Sequence, residues 1–106
     1  MSDVAGFSKF GKSFQESLAH MIMDQRTFAD QIREVLSIDF FELKYLQVFV
    51  QKIFKHKEKY GVHPSKRAML AILRTELEDE NAATQKQTRD FFARIYKSEI
   101  EIGGEE

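Results

Sequence analysis

The sequence predicts an all-α fold, a compact bundle of about five helices. Three observations support this prediction. Apolar residues recur with the 3.6-residue period of an amphipathic helix in five successive segments. Chain breakers are scarce, with one Pro and five Gly among 106 residues. No segment shows the sustained alternation of a half-buried strand. We expect one domain over residues 13–100, preceded by an irregular lead-in at 1–12 and followed by a tail or truncated linker at 101–106.

The first two helices are predicted from capping residues and apolar spacing. Ser13 and Glu16 have the spacing of a capping box, so we expect Ser13 to begin the first helix. Asp24 is the expected cap of the second helix, with Thr27 as the alternative. The stripe of the first helix is Phe14, Leu18, Met21 and Ile22. The stripe of the second helix is Phe28, Ile32, Val35 and Leu36.

The third helix is predicted to be the longest and the central one. Asp39 can cap this helix. Phe40 and Phe41 are adjacent, so they cannot both face one core from one stripe. We expect one of the two to fill a gap between helices. We expect the helix to run from about Phe41 to Tyr60, with a broad apolar face. Gly61 is expected to end it in the left-handed conformation.

Two further helices complete the predicted bundle. The fourth begins either with Pro64 as its first helical residue or with Ser65 as its cap, and it ends in the acidic run 76–80. The final helix is expected from about Ala82 to Ile100. The apolar residues of the fourth helix are Met69, Leu70, Ile72, Leu73 and Leu77.

Composition excludes several classes of function. The absence of cysteine excludes disulfides and cysteine nucleophiles, and a net charge of −1 provides no general attraction for nucleic acid. No apolar run could cross a membrane, and no secretory signal begins the chain, so we expect a cytoplasmic protein of a bacterial or phage-infected cell. The histidines, His20, His56 and His63, lack metal-ligand spacing. We expect no metal, no cofactor and no catalytic residues.

One segment formally matches a phosphate-binding loop. Residues 6–13 fit the pattern G-x-x-x-x-G-K-[ST], which would place Lys12 on phosphates and Ser13 on magnesium. Such a loop follows a buried parallel strand, and the residues before Gly6 do not form one. We therefore interpret the segment as the approach to the first helix.

Two surfaces are candidates for partner contacts. The stretch 52–67 contains six basic residues and interleaved aromatics, a pattern of weak nucleic-acid binding, although a solvated helix face explains it more simply. The aromatic stripe of the last helix favours core packing, with a modest exposed patch as the alternative. The candidate partner residues are Phe91, Phe92, Tyr96, Lys55, Lys59 and Arg67.

The region from Lys12 to about Ser98 resembles the N-terminal domain of DnaB-type replicative DNA helicases in a phage-like short form. The resemblance rests on the first apolar helix ending in Asp24, the acidic–aromatic junction Asp39-Phe40-Phe41, the long helix to Gly61, and Pro64 before the fourth helix. It implies a non-catalytic head that forms a collar with other helicase subunits and docks primase. The parent protein would be an ATP-dependent helicase, and we expect this chain to be a fragment ending before the oligomerising hairpin.

Two alternatives remain at this point. A similar helical fold occurs in the helicase-binding domain of bacterial primases. The other alternative is a small nucleic-acid-binding module that uses the stretch 52–67.

Overall fold

The computed structural model describes residues 11–97, and the predicted all-α class is confirmed there. These residues form five α-helices and one short 3₁₀ helix, and none of them lies in a strand. The 3₁₀ helix is Ile38–Phe40. The α-helices are Gly11–Asp24 (α1), Arg26–Ile32 (α2), Lys44–Tyr60 (α3), Lys66–Thr75 (α4) and Ala82–Ile95 (α5).

Helix α3 is central, as predicted, and packs against both α1 and α5. Its Phe49 is fully buried and meets the ring of Phe91 from α5 edge to face, at 5.0 Å between centroids and 85° between planes. Tyr45 contacts the same Phe91 ring at 6.1 Å. Edge-to-face pairs stabilise beyond simple area burial, so this aromatic contact fixes α5 on α3.

Helix α1 differs from the prediction in its start and in its buried face. Ser13 lies inside the first turn, so it does not cap the helix, and Glu16 contacts other helices instead. Phe14 and Met21, predicted to be core, are 42% and 38% exposed. The buried residues are Gln15, Ala19, Ile22 and Met23, which have the predicted spacing shifted by one residue. A one-residue shift turns the face by about 100°, and it places the polar Gln15 inside.

Helix α2 is shorter than predicted, and its expected caps are wrong. Asp24 is the last residue of α1, and Thr27 lies within α2. Gln25 occupies the cap position without a side-chain hydrogen bond. The helix ends at Ile32, and Val35 is 75% exposed. The other three residues of the second stripe, Phe28, Ile32 and Leu36, are half-buried and pack against the core.

A side chain of α1 holds the backbone that leads into α3. The Oε1 atom of Gln15 accepts hydrogen bonds from the backbone N–H groups of Glu42, at 2.9 Å, and Leu43, at 3.4 Å. Leu43 is the N-cap residue of α3 and has no capping side chain, and the predicted cap Asp39 lies in the 3₁₀ helix. The prediction for the aromatic pair is confirmed, because Phe41 is fully buried in the core. Gln15 thus anchors the entry to α3 across 27 residues of chain.

The later helix boundaries follow local signals. Gly61 ends α3 with a φ of +74°, in the left-handed region as predicted. Ser65 caps α4 by accepting from the N–H of Ala68 at 3.0 Å, so Pro64 is not its first helical residue. The last helix begins at Ala82 as predicted but ends at Ile95, and the predicted extension over 98–100 lies outside the described residues.

Candidate functional site

The structure divides the predicted partner residues into two groups. Phe91, Phe92 and Tyr96 are 0%, 3% and 3% exposed, so they belong to the core and present no partner surface. The core interpretation of this stripe is confirmed, because the double Phe contacts Phe49 at two centroid distances, 5.0 and 6.5 Å. The basic residues Lys55, Lys59 and Arg67 are exposed.

A cleft of about 640 Å³ lies between α3 and α4, and we call it the basic cleft. Its α3 wall is formed by Lys52, Lys55, His56, Glu58, Lys59 and Tyr60. Its α4 wall is formed by Ala68, Ala71, Ile72 and Glu76. Apart from Glu58, the α3 residues follow the i, i+3, i+4, i+7, i+8 spacing of one helix face, so the helix itself groups the cations with the aromatic rings.

The remaining basic residues of the stretch 52–67 lie elsewhere. Arg67 is exposed on α4 but does not line the basic cleft. The ammonium of Lys66 lies 4.9 Å from the centroid of the Tyr96 ring, which directs it towards α5. Lys57 is buried on the opposite side of α3. The sequence stretch is therefore not one surface.

Lys57 is the centre of a polar cluster beside α2. Its Nζ atom lies 2.5 Å from Oδ1 of Asp30 on α2 and 3.2 Å from Nδ1 of His63 in the turn before α4. The Nε2 atom of His63 lies 2.7 Å from the carbonyl oxygen of Met23 at the end of α1. This cluster connects three helices and the turn, and His63 caps the last turn of α1 by meeting one of its terminal carbonyl oxygens.

The partners of His63 determine its protonation. A carbonyl oxygen only accepts, so Nε2–H donates to Met23, and in the neutral ring Nδ1 accepts from the Lys57 ammonium. Burial lowers the pKa of His63 below its ordinary 6.5, and the charge of Lys57 acts in the same direction. The hydrogen bond from Lys57 lowers the pKa of Asp30. The cluster therefore holds a neutral imidazole beside an ammonium–carboxylate pair.

The same cluster forms the base of a second cleft, which we call the α2 cleft. It has a volume of about 740 Å³ and is lined by residues of α2 and of the turn after α3. Charges of both signs line it, including Arg26, Arg33 and Glu34. Val62, which is 59% exposed, provides an apolar side chain in the lining. A mixed polar lining with an exposed apolar residue has the chemistry of a protein contact surface.

A second polar group joins α5 to the first and third helices. Glu16 accepts two hydrogen bonds from the Arg94 guanidinium, at 3.1 and 2.9 Å, and one from the Tyr45 hydroxyl. The bonds from Arg94 lower the pKa of Glu16, and burial raises the pKa of Tyr45 to about 12. The hydroxyl of Tyr96 donates to Asp24 at the end of α1. Sequence reasoning had assigned Glu16 and Asp24 to local caps, and no local signal points to these long-range partners.

The structure describes only part of the formal phosphate-loop match. Lys12 and Ser13 lie in the first turn of α1, and residues 6–10 lie outside the described range. Within residues 11–97 no three His, Asp or Glu side chains are grouped to hold a metal ion. No helix in the described part of the chain is long and apolar enough to cross a membrane.

Comparison of the chain with protein-family models, with curated proteins and with solved structures gives no match in any of the three. The inference of function therefore depends on the residues and their arrangement.

Proposed function

We propose that this chain is a non-catalytic docking module, the N-terminal domain of a DnaB-type replicative DNA helicase. Its contacts would assemble the subunit collar and dock primase during DNA replication, in the cytoplasm of a bacterial or phage-infected cell. The observation that carries the proposal is the arrangement of elements around the junction residues. A short α2 leads through the 3₁₀ helix Ile38–Phe40 to the long central α3, and α4 begins directly after Pro64.

The engagement of the polar groups supports a binding role over catalysis. Both ring nitrogens of His63 have partners, and Lys57 lies between His63 and Asp30. A general base or nucleophile needs an atom within reach of a substrate. These groups are bonded to one another, so their arrangement suits a rigid support for a surface.

The α2 cleft is the surface that we assign to the protein partner. The Lys57–Asp30 pair holds α2 on α3, which fixes the distance between the two walls of the cleft. Val62 is an exposed apolar contact within a charged rim. Interfaces combine an apolar centre with a polar rim, and this cleft has both parts.

A capture experiment with the primase of the same source tests the proposal. The tagged chain should retain primase, and Val62→Asp should weaken retention at least about tenfold, since a buried unpaired charge at an interface costs several kcal/mol. Val35→Asp is the matched control, because Val35 is 75% exposed and does not line the cleft. Absence of primase binding at tens of micromolar would contradict the docking role. Equal losses in the two variants would contradict the assignment to the α2 cleft.

A further inference from the structure

We propose that the basic cleft between α3 and α4 binds single-stranded nucleic acid, with lysines on phosphates and Tyr60 stacked against a base. This site is separate from the α2 cleft and adds a second activity to the docking role. The proposal depends on three observations: the lack of ion pairs at the lysines within the described residues, their position on α3, and the exposed Tyr60 ring beside them.

The lysines of the cleft have no carboxylate partner. Among the described residues, Lys52, Lys55 and Lys59 form no ion pair, although cations elsewhere, such as Lys86 and Arg94, do. The charges of Lys55 and Lys59 are one helical turn apart, where like charges destabilise a helix. An anionic ligand would remove this repulsion.

The helix dipole does not explain all the lysines on this face of α3. Only Lys57 and Lys59 are in the last turn of α3, where a cation interacts favourably with the helix terminus. Lys52 and Lys55 lie further from the end, and the effect of the dipole falls off within one turn. Three cations along one face therefore indicate a ligand with regularly spaced negative charges.

Exposed aromatic rings distinguish nucleic acid from an acidic peptide as the ligand. Tyr60 is 59% exposed, and its ring centroid is 4.8 Å from that of His56. The ammonium of Lys59 lies 5.2 Å from the Tyr60 centroid. A nucleotide carries a flat base close to its phosphate, so this pairing of ring and cation matches both parts of one nucleotide. An acidic peptide would use the lysines alone.

The carboxylates at the cleft limit the expected affinity. Glu58 and Glu76 also line it, and the whole chain has a net charge of −1. We therefore expect sequence-independent binding with a dissociation constant of roughly 10⁻⁴ M at physiological salt, the weak end of the usual range of about 10⁻⁴–10⁻⁶ M, and tighter binding at low salt. Three phosphate contacts on a single strand give a slope of about −2 for the logarithm of affinity against the logarithm of salt concentration.

Fluorescence anisotropy of labelled oligothymidylate, titrated with the full chain at several salt concentrations, tests the proposal. The double substitution Lys55→Gln and Lys59→Gln should reduce the slope to about −0.7, the value for one contact. Lys44→Gln, an exposed position at the other end of α3, is the matched control and should leave the slope unchanged. All these positions are exposed, so folding is retained, and circular dichroism checks this.

The aromatic part of the site has its own variants. Tyr60→Ala should weaken binding roughly five- to hundred-fold through lost stacking, whereas Tyr60→Phe should retain it. No binding of the oligonucleotide at low salt would overturn the proposal. It would also be overturned if Tyr60→Ala left the affinity unchanged, or if polyglutamate competed as well as oligothymidylate at equal charge, since the cleft would then select acidic polypeptide.

Discussion

Replacing Gln15 by Met tests the long-range hydrogen bonds that anchor the entry to α3. The side chains have similar length, but the thioether is only a weak acceptor, so Gln15→Met leaves the N–H groups of Glu42 and Leu43 without their oxygen. Gln15 is 1% exposed, and water cannot readily replace it. The substitution therefore removes the hydrogen bonds of the Gln15 amide without opening a large cavity.

The expected loss of stability follows from the two hydrogen bonds that Gln15 accepts. The 2.9 Å bond to Glu42 is a full hydrogen bond, whereas the 3.4 Å contact with Leu43 is weak. A buried N–H group that loses its acceptor costs about 1–3 kcal/mol. We expect Gln15→Met to reduce the free energy of unfolding by about 2 kcal/mol, since the weaker contact adds little.

Urea unfolding followed by circular dichroism measures this difference. With a slope of about 1–2 kcal/mol per molar urea, the midpoint should fall by about 1–2 M. Gln87→Met, an exposed position on α5, is the control and should change stability by no more than about 0.5 kcal/mol. If the two variants had the same midpoint, the anchoring role of Gln15 at the entry to α3 would be refuted.

Three further predictions concern the polar cluster, the α5 attachment and the α3 end. Because the folded-state pKa of His63 is lowered, the unfolded chain takes up the proton first, so stability is full above pH 6.5 and falls as the pH drops towards the lowered value. His63→Gln should flatten that part of a urea-midpoint profile against pH, and an unchanged profile would contradict the lowered pKa of His63. Glu16→Gln should reduce the free energy of unfolding, measured with urea, by about 1–2 kcal/mol, whereas Glu34→Gln at an exposed position should reduce it by less than about 0.5 kcal/mol. Equal effects of the two substitutions would contradict the attachment of α5 to α1 and α3 through Glu16. Gly61→Ala should cost about 1–2 kcal/mol despite open space around it, because its φ is +74°; an unchanged melting temperature would refute the conformational argument.

Local signals predicted much of the fold, and long-range polar contacts account for the errors. Gly61 and Ser65 act on neighbouring backbone, so their roles are visible in the sequence. The buried face of α1 could not be predicted, because its Gln15 is placed inside by the amides of Glu42, a partner that folding alone brings near. A pattern of apolar residues alone assigns Phe14 to the core and Gln15 to the surface, whereas the structure buries Gln15 and exposes Phe14.

In the candidate site, too, the sequence predicts the local features and misses the long-range contacts. The stretch 52–67 identified the cations, and helical geometry could have separated the face of Lys55 and Lys59 from Lys57. The partners of Lys57 could not be inferred, since Asp30 comes from α2 and His63 from beyond the helix end. The α2 cleft, which depends on these contacts, was therefore absent from the prediction.

The most direct test of the docking role is an NMR titration of the ¹⁵N-labelled chain with unlabelled primase of the same source. Amide shifts should change around the α2 cleft, at Val62 and Glu34, and should remain constant at the exposed control Gln87 on α5, which does not line the cleft. Spectra that stay unchanged at tens of micromolar primase, or changes spread evenly over the surface, would contradict the proposal that this chain is a docking module.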